Sequence, residues 1–245
     1  PMGTTITGIT GNQLTLSNAA SGGGTTTVVA PLPGTITVNS GSHTIAAPVV
    51  VQSGLSVNVV TPTASVVLTG GLTSGFNSSA GLDSYNSVSK TGPGTLELNG
   101  SFAYAHRGST TVNGGTLRGT GTISNSPVTV NPTGTLGAGT SSTPGTLTLG
   151  AGLTLTSGSN LATRMNTNAI FDQILVTGGN VLLGNATFVP SITGTNLVPA
   201  DKLYVINNTG TGTTTGQFNG LIQDGTVTIG DYTAQISYIG DAGTN

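Results

Sequence analysis

Residues able to carry out acid–base chemistry are few in this chain of 245 residues, with seven acidic residues, five Lys or Arg and two His. An enzyme that cleaves polysaccharides needs at least two carboxylates gathered in one groove. Candidate carboxylates instead fall in separate strand or turn segments, at Glu97, Asp172, Asp201, Asp224, Asp231 and Asp241. The last four lie in turn-like contexts, where Asp is favoured for local hydrogen bonding. The sequence therefore predicts a protein that is not an enzyme.

One imidazole and one permanent cation are adjacent, at His106-Arg107. They follow Phe102 and Tyr104, and aromatic faces together with Arg suit sugars and carboxylates. A solvent-exposed loop tip, or a contact with another copy of the chain, explains the same residues without a ligand. The second histidine, His43, stands in a strand pattern and is interpreted as a structural hydrogen-bonding side chain.

No cofactor or metal is predicted. The chain has no Cys, which excludes thiol chemistry and disulfides, and two distant histidines do not make a zinc site. The Gly-Gly-x-Gly-x-Asp calcium pattern is missing, and Gly22-Gly23-Gly24 lacks the Lys of a phosphate loop. Thr-x-Thr pairs such as Thr146-Leu147-Thr148 invite an ice-binding interpretation, but they are more simply strand formers on a solvated face.

Charge is unusually sparse. Only 5% of the residues are charged and the net charge is −2, so no basic stripe favours nucleic acid. A weakly charged surface has little repulsion between copies, which favours self-association. No run reaches the roughly 20 apolar residues of a membrane helix. Pro1-Met2-Gly3 lacks the basic head of a signal peptide, so we expect a trimmed chain if the protein is exported.

Alternating apolar and polar residues predict short strands with one buried face. The clearest runs lie at 95–98, 110–112 and 116–118, and Asn99-Gly100 and Asn113-Gly114-Gly115 turn the chain between them. Strands of three or four residues are too short to be stable alone, so they must stack on similar strands. The sequence therefore predicts an all-β solenoid.

The stretch from Lys90 to Gly119 resembles the autotransporter-associated β-strand repeat of bacterial surface passenger domains. The pattern is K-x-G-x-G-T-L-x-L-x-G, an aromatic turn, and then T-T-V-x-x-G-T-L. Its residues here are Lys90, Gly92, Gly94, Thr95, Leu96, Leu98, Gly100, Tyr104, Thr110, Thr111, Val112, Gly115, Thr116 and Leu117. The resemblance, which extends more loosely over about residues 35–245, implies a parallel, right-handed β-helix outside the cell or at the bacterial surface. It is specific for the fold and not for an activity.

Three regions are expected. Residues 1–34 are an N-terminal strand that acts as a cap or an arm, and residues 35–159 are solenoid repeats. Residues 160–245 form a C-terminal module of longer strands that closes the solenoid. Two loops, 74–89 with Phe76 and Tyr85 and 102–108 with His106, interrupt the pattern, and loops are where binding residues concentrate.

Two functions fit these observations. The first is a non-catalytic, self-assembling subunit of a surface filament, which joins head to tail through end strands that include Val227 and Ile229. The second is a monomeric adhesin passenger fragment, which binds a glycan or a cell surface through loops 74–89 and 102–108. A β-helical polysaccharide-degrading enzyme is a third, weaker alternative. The expected partner is thus another copy of the chain, or a glycan or cell surface, and neither nucleic acid nor membrane insertion is expected.

Overall fold

The computed structural model describes residues 6–10, 13–16, 28–30, 34–51, 54–74, 86–99, 108–167, 169–194, 197–198 and 201–239. In these ranges the chain forms strands and turns and no helix. In chain order the strands are β1 (Ile6–Thr10), β2 (Gln13–Leu16), β3 (Val28–Ala30), β4 (Gly34–Val38), β5 (Ser42–Ile45), β6 (Val49–Val51), β7 (Leu55–Val59), β8 (Ser65–Leu68), β9 (Leu72–Ser74), β10 (Val88–Thr91), β11 (Thr95–Leu98), β12 (Thr110–Val112), β13 (Gly115–Gly119), β14 (Thr122–Ile123), β15 (Val128–Val130), β16 (Gly134–Leu136), β17 (Thr146–Leu149), β18 (Leu153–Leu155), β19 (Asn160–Met165), β20 (Gln173–Val176), β21 (Val181–Leu182), β22 (Thr187–Ile192), β23 (Ile206–Asn208), β24 (Thr214–Thr215), β25 (Thr226–Ile229) and β26 (Tyr232–Gln235).

The strands stack along three faces. The first sheet has the order β1-β2-β4-β7-β10-β12-β15-β18-β21-β24, and the second has the order β5-β8-β11-β13-β16-β19-β22. The third face consists of β3-β6-β9 and then β14-β17-β20-β23. The pairs within these sheets are parallel apart from β1 with β2, which is antiparallel.

The chain visits the three faces in turn and returns to the first sheet one position further along. It is a parallel β-helix, which confirms the predicted fold class. We number its coils by their strand in the first sheet: β2 begins coil 1, β4 coil 2, β7 coil 3, β10 coil 4, β12 coil 5, β15 coil 6, β18 coil 7, β21 coil 8 and β24 coil 9. Parallel pairing continues through the predicted boundary between residues 159 and 160, because β19 pairs with β16 on one side and with β22 on the other. The three predicted regions remain a prediction.

In the core, the inward-facing side chains of successive coils stack on one another in columns. Strand residues alternate between buried and half-buried, as in the pattern of β4, β7 and β19, because side chains point alternately to the two faces of a strand. In the second sheet Val66, Leu96, Leu117, Leu136 and Leu161 are successive register partners, and none is more than 1% exposed. The fold is therefore held together by apolar contacts between neighbouring coils as well as by backbone ladders.

The C-terminal end of the core is closed by aromatic side chains. Phe218 is 6% exposed, and its ring centroid lies 5.2 Å from that of Phe188 and 6.2 Å from that of Tyr238. The Tyr238 hydroxyl accepts the Phe218 N–H at 3.0 Å and donates to Leu221 O at 2.8 Å. Burial raises the pKa of Tyr238, and the hydrogen bond from Phe218 opposes that shift. We call residues 218–239 the C-terminal cap.

The outer edge of β22 carries a proline. Thr187 N–H donates to Ser159 O and Thr193 N–H to Met165 O, so the odd-numbered residues of β22 direct their amides towards β19. Pro190 alternates with them, and its nitrogen therefore faces the outer edge, where a strand can tolerate a missing N–H. A proline at that position prevents a further strand from pairing there.

Candidate functional site

The aromatic and basic residues predicted as contacts lie outside the described residues. These are Phe76, Tyr85, Phe102, Tyr104, His106 and Arg107. Val227 and Ile229 lie on β25, which pairs with β26 in an antiparallel hairpin of the C-terminal cap. Ile229 is 5% exposed, so it is packed within the chain, whereas Val227 is half-buried. A role for any of these residues in binding a partner stays a prediction.

The candidate acidic residues do not gather in one groove within the described part of the chain. Asp224 and Asp231 lie in turns of the C-terminal cap, which confirms their interpretation as turn residues, and Asp224 has a φ of 61°. Asp201 accepts the Val198 N–H at 2.9 Å. Glu97 and Asp172 lie near basic side chains and form a charged cluster with them on the outer side of the second sheet.

Arg164 and Asp172 form a two-pronged ion pair at the edge of this cluster. Arg164 Nε lies 2.7 Å from Asp172 Oδ2, and Nη2 lies 3.0 Å from Oδ1. The same Nη2 donates to Ala138 O at 3.0 Å and to Thr143 O at 2.9 Å. Asp172 also accepts the Gly145 N–H at 3.1 Å. Since the two side chains are only 15% and 4% exposed, both are engaged in holding the backbone of the loop at 138–145.

That loop is organised from within as well. Thr140 Oγ1 accepts the N–H groups of Ser142 and Thr143, at 3.3 and 3.1 Å. Gly139 has a φ of 69°, and a side chain there would collide with Thr143 O and with the ion pair of Arg164. Glycine is therefore required both by the backbone angle and by the close approach of the guanidinium.

Arg118 supports the same loop from the neighbouring coil. Its Nη1 donates to Thr140 O at 3.2 Å, and its register partner in β11 is Glu97. Glu97 is 4% exposed and accepts the Asn99 side-chain amide at 2.6 Å. Burial is the largest influence that lowers the pKa of Arg118, followed by the charge of Arg164, while Asp172 and Glu97 oppose the shift. A guanidinium stays protonated at physiological pH, so this group acts as a hydrogen-bond donor.

Lys90 lies inside the β-helix. Its register partners are Val57 below and Val112 above, and it is 1% exposed, the largest fully buried side chain in the described part of the chain. Its ammonium donates to Thr91 O at 2.7 Å, Gly92 O at 2.8 Å and Gly114 O at 3.1 Å. Burial lowers the pKa of Lys90 to about 8. Such an amine is a good nucleophile in an open cleft, but here no substrate reaches it.

His43 also faces inwards, on β5 in the second sheet. It is 1% exposed and pairs in register with Val66. Its Nε2 lies 2.8 Å from Ser40 O, and since a carbonyl only accepts, Nε2 carries the proton. The structural interpretation of His43 is confirmed.

No group of three or more His, Asp or Glu side chains is placed to hold a metal ion in the ranges that the structure describes. Over the same ranges, no helix is long and apolar enough to cross a membrane.

The buried lysine and the glycine corners of coils 4 and 5 lie in a stretch with a known counterpart. Residues 88–118 match the family model described as the passenger-associated-transport-repeat. This confirms the resemblance seen at Lys90 to Leu117, and the looser resemblance over 35–245 stays a prediction. A search of curated proteins finds no match to this chain. We call residues 88–118 the passenger repeat.

Two features of the described residues were not found from the sequence. Lys90 was recognised as a motif residue without a role, although its phase relative to Val88 placed it on the inward side of β10. The pair of Arg164 and Asp172 depends on an antiparallel bridge between Met165 and Phe171, which folds the chain back on itself. No pattern of polar and apolar residues in the sequence predicts that bridge.

Proposed function

We propose that the protein is a non-catalytic structural β-helix of the autotransporter passenger type. It acts outside the cell or at the bacterial surface and assembles with other copies of itself. The observation that carries the non-catalytic part is the use of its charged groups: Lys90, Arg118, Arg164 and Asp172 each hydrogen-bond to backbone of the solenoid. Their hydrogen-bonding capacity is directed to the fold, which is characteristic of a scaffold.

The passenger repeat supports the extracellular part of the proposal. Its family description names passengers and transport, and a low content of charge together with short, similar coils suits a chain that folds coil by coil after export. The absence of Cys is compatible with a fold whose stability comes from ladders and a thin core.

Self-assembly is supported by the strand edges at the C-terminal end. β23 and β24 are terminal strands of their sheets, and Thr214 and Thr215 are exposed. Residues 206–217 contain neither a charge nor a proline, the two residue types that usually protect an open edge. The edge of β22, which carries Pro190, is protected. The unprotected edges can therefore accept a strand from a second copy.

The test is negative-stain electron microscopy with sedimentation velocity over a concentration series of the purified chain. We expect oligomers or fibres that grow with concentration in the wild type, and monomers in the double variant Thr214→Lys, Thr215→Lys, because lysine at an edge opposes strand addition. Thr129→Lys, on β15 in the middle of the same sheet, is the matched control and should assemble like the wild type.

Single short rods at every concentration would overturn the self-assembly part, and the adhesin alternative would then be tested on glycan and cell-surface panels. Release of reducing ends from common polysaccharides by the wild type would overturn the non-catalytic part. The two parts therefore fail independently.

A further inference from the structure

The corners between the first and second sheets are closed in two different ways. In coils 3, 6, 7 and 8 the corner is closed by its own backbone: the N–H groups of Ala64, Gly134, Ser159 and Ala186 donate to the carbonyl three residues earlier, at 2.9 to 3.0 Å. This is the hydrogen bond of an ordinary β-turn. Such a corner has one hydrogen bond within its own backbone, in addition to bonds with neighbouring coils such as Val60 N–H to Val38 O.

The corners of coils 4 and 5, in the passenger repeat, have no such bond among the described residues. Gly94 N–H donates instead to Val59 O in the coil below. Asn113 N–H donates to Lys90 O, as Asn131 N–H does to Val112 O in coil 6. Gly92 has a φ of 73° and Gly115 a φ of 63°, and a side chain on Gly115 would collide with the carbonyls of Gly92 and Gly94. At these two corners, therefore, the backbone of coil 5 lies directly against the backbone of coil 4.

The ammonium of Lys90 takes the place of the missing turn bonds. Two of its acceptors, Thr91 O and Gly92 O, belong to its own coil, and the third, Gly114 O, belongs to the next coil. An ammonium has three N–H donors, and all three are used. A buried charge with an unmade hydrogen bond is costly. The lysine is fully bonded only when Gly114 is stacked in its native place above Gly92.

We propose that Lys90 determines the register in which coil 5 stacks on coil 4. The neighbouring Val57 and Val112 would tolerate a slip of two residues, because every second residue of a strand faces inwards. The ammonium does not tolerate it, since a slip removes the Gly114 carbonyl. A single buried polar group that specifies alignment is well attested in coiled coils. The passenger repeat is thus a pair of coils aligned by one internal cation.

The experiment compares the full-length wild type with Lys90→Met, which keeps the length of the side chain and removes the charge. Because the chain has no Cys, engineered cysteine pairs report the register directly. Ser89→Cys with Thr111→Cys joins register partners, about 4.8 Å apart across a sheet and within disulfide range. Ser89→Cys with Ser109→Cys forms a disulfide only when coil 5 has slipped by two residues.

When Lys90 is present, we expect a disulfide between Cys residues at positions 89 and 111 and none between positions 89 and 109. In the Lys90→Met background the slipped pair should form as well, so that the ratio of the two products falls severalfold. Amide exchange at 91–95 and 113–116 should also accelerate about ten- to hundredfold, the value of a hydrogen bond to a charged group. Lys202→Met, which removes an exposed lysine, is the matched control and should change neither readout.

A second variant is informative if Lys90→Met does not fold. The corner of coil 6, Val130-Asn131-Pro132-Thr133-Gly134, has the same length as Lys90-Thr91-Gly92-Pro93-Gly94 and closes itself. Grafting it onto coil 4 should restore a folded chain without the lysine. A Lys90→Met protein that is folded, correctly paired and unchanged in exchange would overturn the proposal. So would a graft that fails to fold alongside a Lys90→Met protein that also fails.

Discussion

At the scale of single residues, the ion pair of Arg164 and Asp172 makes the sharpest prediction. Arg164→Met leaves the Asp172 carboxylate buried with its main partner removed, and breaking a buried pair on one side costs about 3–5 kcal/mol. We expect a loss of that size in the free energy of unfolding, measured by urea titration. The double variant Arg164→Met, Asp172→Leu should lose less, because no unpaired charge remains. Equal losses in the single and double variants would show that the pair is not electrostatically coupled.

Lys90 predicts a distinctive dependence of stability on pH. Its pKa is lowered to about 8 in the folded chain from 10.5, so between those values the unfolded chain holds a proton that the folded chain has lost. Stability then rises with pH, since the unfolded state binds more protons. We expect the thermal midpoint of the wild type, relative to that of Lys90→Met, to increase from pH 8 to pH 9.5. A difference that stays constant or decreases over this window would contradict the prediction.

At the scale of elements, the C-terminal cap depends on one hydroxyl. Tyr238→Phe removes the acceptor of the Phe218 N–H and the donor to Leu221 O, and an unsatisfied buried group costs about 1–3 kcal/mol. We expect faster amide exchange at residues 218–221 in this variant. Exchange in β4, β7 and β8, at the other end of the solenoid, should stay as in the wild type because coils contact only their neighbours. An acceleration spread evenly over all coils would mean that the cap and the solenoid unfold as one unit.

Strands were the elements that the sequence predicted well. The alternation at 95–98, 110–112 and 116–118 corresponds to β11, β12 and β13, because burial of one strand face leaves a period of two in the sequence. The corners were not predictable to the same degree. Whether a corner closes through its own backbone, as at Asn131 to Gly134, or through a side chain, as at Lys90, depends on contacts between coils that are distant in sequence.

At the scale of the whole molecule, the candidate site was the least predictable part. The sequence predicts contacts at loop residues such as Tyr104 and Arg107, which lie outside the described residues. In the described part of the chain, the charged side chains of Lys90, Arg164 and Asp172 are bonded to backbone groups. A charged residue in a strand pattern is ordinarily assigned to the solvent face. Lys90 departs from that expectation because the corners of a solenoid present carbonyl groups that need donors.

The β-helix also has a direction of mechanical weakness. Its ladder bonds run along the long axis, so a force pulling the two ends apart acts on the interfaces between coils one after another, and the weakest interface gives way first. In the first sheet, coils 8 and 9 share two register pairs, Val181 with Thr214 and Leu182 with Thr215, and coils 7 and 8 also share two. Coils 7 and 8 share six further pairs in the second sheet, between β19 and β22. Under tension the chain would peel from its C-terminal coil. In the passenger repeat, Lys90 donates hydrogen bonds to both coil 4 and coil 5. These two coils would therefore separate later under tension than their short strands suggest.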